Sequence, residues 1–499
     1  MTSKATVSVD TRRTIATIDP LIFGGFAEHL GRCIYEGIYD PASPHADARG
    51  LRTDVMAALR EIGFTVMRYP GGNFVSGYDW LDGVGPKDKR PRRRDMAWHS
   101  IETNQFGTDE FMEFCKEIKT EPMLAVNLGS GTPSTAQDLV EYCNSTVGTK
   151  FADLRAANGH RDPYGVKYWC LGNEMDGSWQ IGHLESHEYG TKAREAAKQM
   201  KWIDSSIKLI LCGSSGCTMP TYPEWDRVAL ELCYDHVDYL SIHRYVNNED
   251  NDTPSFLASA ASFEKQVDDT AATIRYAKAK KRSKKDVFIS WDEWNVWYKA
   301  GADVDDWSVA PPILEEVYNL EDALVVATWL NVFLRKCDVV RAACLAQIVN
   351  VIGPLLTTRE GVLKQTIFYP LVAFSQAAKG HSLDLLVKSP TIETKHYGEN
   401  PLLDASASYD PETGKQSFFL VNTSMTDEMP VEIEWVEGGP TVFSSALQMK
   451  GSDPKAGNSW AEPNAVTMKA IDVPKIVSEN GRSYARFTLP ALSFTTLQA

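Results

Sequence analysis

The chain has 499 residues, a formal net charge of −15, 43% hydrophobic residues, and 13 Trp and 19 Tyr. Its length exceeds what one hydrophobic core usually supports, so a large domain with a smaller companion is expected, and the acidic balance argues against nucleic acid or an anionic membrane as partner. No run is apolar for the length of a transmembrane helix, the first twenty residues lack the apolar centre of a secretion signal, and the nine cysteines form an odd, scattered set that reads as buried thiols.

A cytoplasmic protein acting on a neutral substrate is therefore expected. Along the chain, Ala5-Thr-Val-Ser-Val-Asp10 alternates apolar and polar residues, which predicts that segment 1–19 supplies a strand to a sheet formed elsewhere. From residue 20 to 381 short apolar runs alternate with helical patterns, as in parallel βα repetition. Eight strands are expected: Leu21–Phe26, Thr65–Tyr69, Met123–Asn127, Lys167–Leu171, Lys208–Cys212, Val237–Ile242, Val287–Trp291 and Ala342–Gln347. The last is alanine-rich and by propensity suits a helix equally well. Helices are expected at Asp54–Ile62, Thr108–Ile118 and Ala261–Lys281. The basic run Lys87–Arg94 reads as a solvated or ion-paired loop in an acidic chain. Residues 382–499 change texture to alternating strands with turn signals, as in Val431-Glu-Ile-Glu-Trp-Val436, which predicts antiparallel β structure. The expected fold is a (β/α)8 TIM barrel followed by a C-terminal antiparallel β-sandwich.

Polar side chains gather where these strands stop: Glu28 and His29, Arg68 and Asn73, Asn127, Asn173 and Glu174, His243 and Tyr245, Glu293, and Gln347. Singly, each reads as a cap or a satisfied polar group. Together they mark the C-terminal face of a barrel, where such enzymes carry their active sites. Two of them, Glu174 and Glu293, close buried strands and suggest retaining glycoside hydrolysis, which needs an acid that later acts as base and a nucleophile. Glu174 is assigned the first role, with Asn173 beside it to hold the sugar's 2-hydroxyl. Glu293 is assigned the second, kept ionised by Arg68, His243 and Tyr245. There is no His-Glu-x-x-His, no pair of closely spaced metal-binding cysteines and no phosphate loop, so neither metal nor cofactor is expected. The segment Cys212-Gly-Ser-Ser-Gly-Cys217 reads as a tight βα turn.

Four segments carry a resemblance: Phe23-Gly-Gly-Phe-Ala-Glu28-His29, Arg68-Tyr-Pro-Gly-Gly-Asn73, Trp169-Cys-Leu-Gly-Asn-Glu174-Met-Asp-Gly, and Trp291-Asp-Glu293-Trp-Asn. In this order they resemble the α-L-arabinofuranosidases of glycoside hydrolase family 51. The resemblance implies the barrel-and-sandwich fold, retention of configuration, no required metal, Glu174 as acid/base and Glu293 as nucleophile. It further implies a furanose pocket lined by Glu28, Asn73, Asn173, His243, Tyr245 and Gln347, and a rim for the remaining saccharide drawn from Trp98, Trp179 and Trp297. Arabinan, arabinoxylan or their oligosaccharides are the implied substrates and a homo-oligomer, often a hexamer, the implied assembly. Two rival readings use the same residues: a retaining barrel glycosidase acting on a pyranoside, such as an endoglucanase or β-xylosidase, and a non-catalytic carbohydrate-binding barrel.

Overall fold

A computed structural model describes residues 4–302 and 307–499; residues 1–3 of the expected N-terminal segment lie outside that range. Eight parallel strands close into a barrel: β1 (Gly24–Phe26), β2 (Val66–Tyr69), β3 (Glu121–Val126), β4 (Tyr168–Leu171), β5 (Lys208–Leu211), β6 (Tyr239–Val246), β7 (Phe288–Val296) and β8 (Val340–Ala346). The alanine-rich eighth segment is a strand, because pairing with β7 and β1 on either side outweighs alanine's helical preference. Leu21 and Ile22 fall in a 3-10 turn, Pro20–Ile22, before the first strand begins.

The helices form for readable reasons. In Thr108–Ile118 the buried residues Phe111, Phe114, Cys115 and Ile118 share one face. Gly63, in the left-handed region at φ 75°, ends the helix Thr53–Ile62 and turns the chain into β2. The helix Leu320–Arg335 is apolar all round, and almost every side chain in it is buried. It has to be, since it lies between Trp291 and Trp294 of β7 and the second domain.

That second domain stacks two sheets. One orders Leu386–Lys388, Ala5–Asp10, Met429–Glu437, Arg482–Leu489 and Ile476–Glu479. In it Ala5–Asp10 runs parallel to Met429–Glu437, with Val7 opposite Ile433. The other sheet has seven strands, including Leu403–Tyr409, Gln416–Asn422 and Ser493–Gln498. Alternation divides its two faces: Phe418 and Leu420 pack between the sheets with Trp435, while Phe419 stacks on Phe374 of the barrel's outer layer at 4.0 Å. The junction is sealed by Arg335, which donates to Asp404 at 2.9 Å and to Glu264 at 2.7 Å. Among the described residues no helix is long and apolar enough to cross a membrane.

Candidate active site

The strand ends are where the side chains of interest meet. Both β6 and β7 run farther than expected, to Val246 and Val296, because each is bulged at the barrel mouth. In a regular strand successive side chains point to opposite faces. Here Trp291 and Trp294 both face the outer helices, three residues apart, so Asp292 and Glu293 between them both turn inward. The matching irregularity in β6 sets His243 in register with Glu293. Glu174 follows β4 and sits in the left-handed region at φ 44°.

One oxygen of Glu174, one of Glu293 and a ring nitrogen of His243 lie within 4.8 Å of one another. Retaining glycosidases hold their carboxyl groups about 5–5.5 Å apart, inverting ones about 6.5–9.5 Å. Glu293 accepts from Arg68 Nη1 at 2.9 Å and from the Tyr245 hydroxyl at 2.8 Å. Glu174 accepts from His243 Nδ1 on Oε1 at 2.9 Å and from the Trp179 indole on Oε2 at 2.8 Å. Burial first, and the charge of Glu293 second, raise the Glu174 carboxyl above its ordinary value. His243 sits nearer Glu174 than Glu293, from which its Nδ1 is 3.5 Å away.

Burial alone would lower the basicity of His243. Glu293, a hydrogen bond to Asp292 and one to Glu174 together outweigh it and push the imidazole up to about 10. By distance the trio of Glu174, His243 and Glu293 could hold a cation, and a protonated His243 weighs against one, since an imidazolium offers no lone pair. These residues fit a site that handles protons.

On the far side Glu28, 2% exposed, accepts from the Phe74 amide at 3.0 Å, the Trp98 indole at 2.9 Å and Gln347 Nε2 at 3.0 Å. Its carboxyl is pushed up to about 7, by burial and then by Glu293. Gly72 lies between the two halves of the site. A β-carbon there would stand 3.3 Å from Asn173 Nδ2 and from Glu293 Oε2, and 3.4 Å from Glu28 Oε2, so the backbone itself forms the floor. Asn73, half-buried, follows it. Asn173 gives its oxygen to Arg68 Nη2 at 2.6 Å. Its Nδ2 is buried with no partner among the described residues, and so is Gln347 Oε1. Buried polar groups are rarely left unpaired, so both atoms are open to water or to a polar ligand.

Other expected groups are placed elsewhere. His29 stacks on Phe74 at 4.7 Å and is held by Tyr69 and Glu102, behind the pocket wall. Asn127 shapes a loop, accepting from the amides of Gly129 and Gly131, beside a separate cavity of about 230 Å³ lined by neither Glu174 nor Glu293. Trp297 donates to the Ala300 carbonyl and meets Tyr245 edge-on at 5.3 Å, while Trp179 is 52% exposed at the mouth. In the basic run Arg90 pairs with Glu110, Arg93 with Asp82, and Arg94 lies over the Trp307 ring.

Models of the α-L-arabinofuranosidase 1 domain and the α-L-arabinofuranosidase C-terminal domain match residues 58–268 and 292–493. An intracellular exo-α-(1→5)-L-arabinofuranosidase 1 of Bacillus subtilis is 45% identical over 489 residues, covering 97% of each chain. The chain belongs to glycoside hydrolase family 51, the α-L-arabinofuranosidases. An exo-α-(1→6)-L-arabinofuranosidase of Bifidobacterium longum is 43% identical, covering 98% of this chain and 96% of its own. A solved family 51 α-L-arabinofuranosidase from Bifidobacterium longum superposes with a TM-score of 0.95 at 38% identity over the full length of both chains.

Against this family 51 background, three residues of the site were not singled out from the sequence. Gly72 was visible only as half of a Gly-Gly pair after β2. Ser241, whose hydroxyl donates to Asp292, was hidden inside an apolar strand. Asp292 was masked by its neighbour, since an alternating strand would have turned one of the two acids outward.

Proposed function

We propose that the chain removes terminal non-reducing α-L-arabinofuranosyl residues from arabinan, arabinoxylan or oligosaccharides derived from them, with retention of configuration. The observation that carries this is the close pair of Glu174 and Glu293, whose surroundings differ in the sense that double displacement requires. Glu293, held by Arg68 and Tyr245, attacks the anomeric carbon. Glu174, raised by burial, gives its proton to the departing oxygen, then takes one from the water that releases the sugar. Asn173 Nδ2 is free to hold the 2-hydroxyl, and Glu28, Asn73 and Gln347 stand ready for the distal hydroxyls. Trp98, bonded to Glu28, and Trp179 and Trp297 form the rim. Glu28, Gln347 and the Gly72 backbone crowd one side of the site, which suits a terminal furanose better than a polymer threading through an open cleft.

Two relatives of nearly equal identity are named for different linkages, 1→5 and 1→6. The linkage preference is assigned to the rim, where the departing saccharide would lie. The Bacillus subtilis relative is named as intracellular, which supports a cytoplasmic enzyme. A homo-oligomer, a hexamer by family resemblance, belongs to the same proposal and is read by light scattering.

The test is Glu293→Ala, which should abolish turnover on every arabinofuranoside, including those with excellent leaving groups. In the unmodified chain a slow-reacting furanoside inactivator should label the peptide Trp291-Asp-Glu293-Trp at Glu293. A label on Glu174 or Asp292, or an inverted product, would remove the two-glutamate reading.

A further inference from the structure

Asp292 is fully buried directly beneath the reacting groups, touches no solvent, and has no part in the scheme above. It accepts a hydrogen bond from the Ser241 hydroxyl and one from the Cys170 thiol at 3.6 Å. His243 Nε2 lies 3.4 Å from its Oδ1, and Arg68 Nε 3.8 Å from its Oδ2. His243 thus bridges two carboxylates, Asp292 behind it and Glu174 in front. A carboxylate behind an imidazole fixes which ring nitrogens carry hydrogen and in which direction they point.

We infer that Asp292 is a positioning residue for the acid/base: by holding His243 from behind, it keeps Nδ1 a donor to Glu174 Oε1 and so confines the catalytic proton to Oε2. Oε2 is the oxygen on which the Trp179 indole now rests, at the mouth of the pocket. A leaving group entering there displaces a half-exposed indole rather than a buried imidazole. In the first step the proton leaves Oε2 for the glycosidic oxygen as that bond to the anomeric carbon breaks and the bond to Glu293 forms. In the second, water attacks the same carbon, its proton goes to Glu174, and Glu293 departs. His243 keeps both of its protons throughout. The groups that bear on it are Glu174 and Asp176 after β4 and Asp292 and Glu293 on β7, with Arg68 of β2 and Cys170 of β4 acting on Asp292 behind it.

The inference rests on Glu174 being the acid/base, and the experiment separates the two. Asp292→Asn keeps the shape and one acceptor but removes the charge. Without that charge His243 loses its second proton more readily and no longer favours ionised Glu174, so the acid/base should deprotonate at higher pH. On arabino-oligosaccharides the alkaline limb of kcat/KM should move up by about one pH unit, a tenfold change in the equilibrium. On an activated aryl arabinofuranoside at neutral pH, kcat should fall more than kcat/KM, and azide should restore it. In a His243→Asn background the Asp292→Asn change should leave the limb unmoved. A purely structural role would lower kcat and kcat/KM equally at every pH, leave the limb in place and overturn the inference. Should the variant not fold, nitrogen NMR of histidine-labelled wild-type enzyme decides: both ring nitrogens of His243 should stay protonated through pH 8, and a neutral tautomer there overturns it. Failure of azide to rescue Glu174→Ala would instead remove the acid/base assignment itself.

Discussion

Glu28→Gln should make the protein more stable and less active, in a pH-dependent way. The wild-type carboxyl is buried beside Glu293 and moves from 4.5 to about 7 on folding. Below pH 4.5 both the folded and unfolded states hold the proton, and no penalty arises. Between 4.5 and about 7 the folded state holds a proton that the unfolded state has lost, so stability falls as pH rises. Above that window the full penalty applies, roughly 3 kcal/mol at about 1.4 kcal/mol per pH unit. With an unfolding entropy of about 2 cal/mol/K per residue across a barrel of roughly 360 residues, this corresponds to about 4 °C in Tm. Glutamine keeps the acceptor used by Phe74 and Trp98, and its new amide N–H groups face Gln347, whose own unpaired oxygen can turn to accept from them. Thermal unfolding by calorimetry at pH 4.5 and pH 8 should show equal Tm values at the lower pH and a more stable variant at the higher. Activity should fall by about 100-fold in kcat/KM, the size of a charge-assisted hydrogen bond to sugar hydroxyls. A variant less stable than wild type at pH 8, or a difference that ignores pH, would refute the view of Glu28 as a buried like-charge partner of Glu293.

Glu174→Ala should spare activated aryl arabinofuranosides far more than natural oligosaccharides, and azide should accelerate the former; equal losses on both would count against it. Arg68→Lys should lower kcat by at least about tenfold, because a lysine cannot reach Glu293 and Asn173 together; stopped-flow assay with calorimetric confirmation of folding reads this. Exhaustive chelation should leave activity intact, and a loss restored by zinc, calcium or magnesium would contradict the proton-handling reading of the trio. Trp98→Phe should raise KM with little change in kcat, since it removes one donor from Glu28 and leaves the reacting carboxylates alone.

The barrel was legible because β-branched and aromatic runs ended in polar residues at one end, a pattern that only a common active face produces. Its limits came from irregularity. The bulges in β6 and β7 lengthen both strands and break the two-residue period, so the inward turn of Asp292 could not be read from spacing. The helix Leu320–Arg335 lacks an amphipathic pattern because both of its sides are covered, and periodicity gave no warning of it. Pocket partners joined across long loops, such as Trp98 with Glu28, depend on how residues 70–107 fold back over the barrel, which local propensity does not encode. That Glu174 and Glu293 would meet was the easiest part to read and the buried network around them the hardest, since such a network is defined by contacts distant in sequence.

The parallel pairing of Ala5–Asp10 with Met429–Glu437 also sets a timetable for biosynthesis. At about 5–20 residues per second a ribosome needs roughly 20–80 s to make the stretch between them. During that time the first strand, with Ala5, Val7 and Val9 destined for full burial, has no neighbour on its Met429–Glu437 edge. The barrel can close while the sandwich still waits for its last strands, so the opening strand remains a sticky end held next to a finished domain. Newly made chains should therefore depend on holding chaperones for longer than their size suggests, and fusions that bury or stiffen the segment before Ala5 should lower the yield of folded enzyme without touching the catalytic pocket.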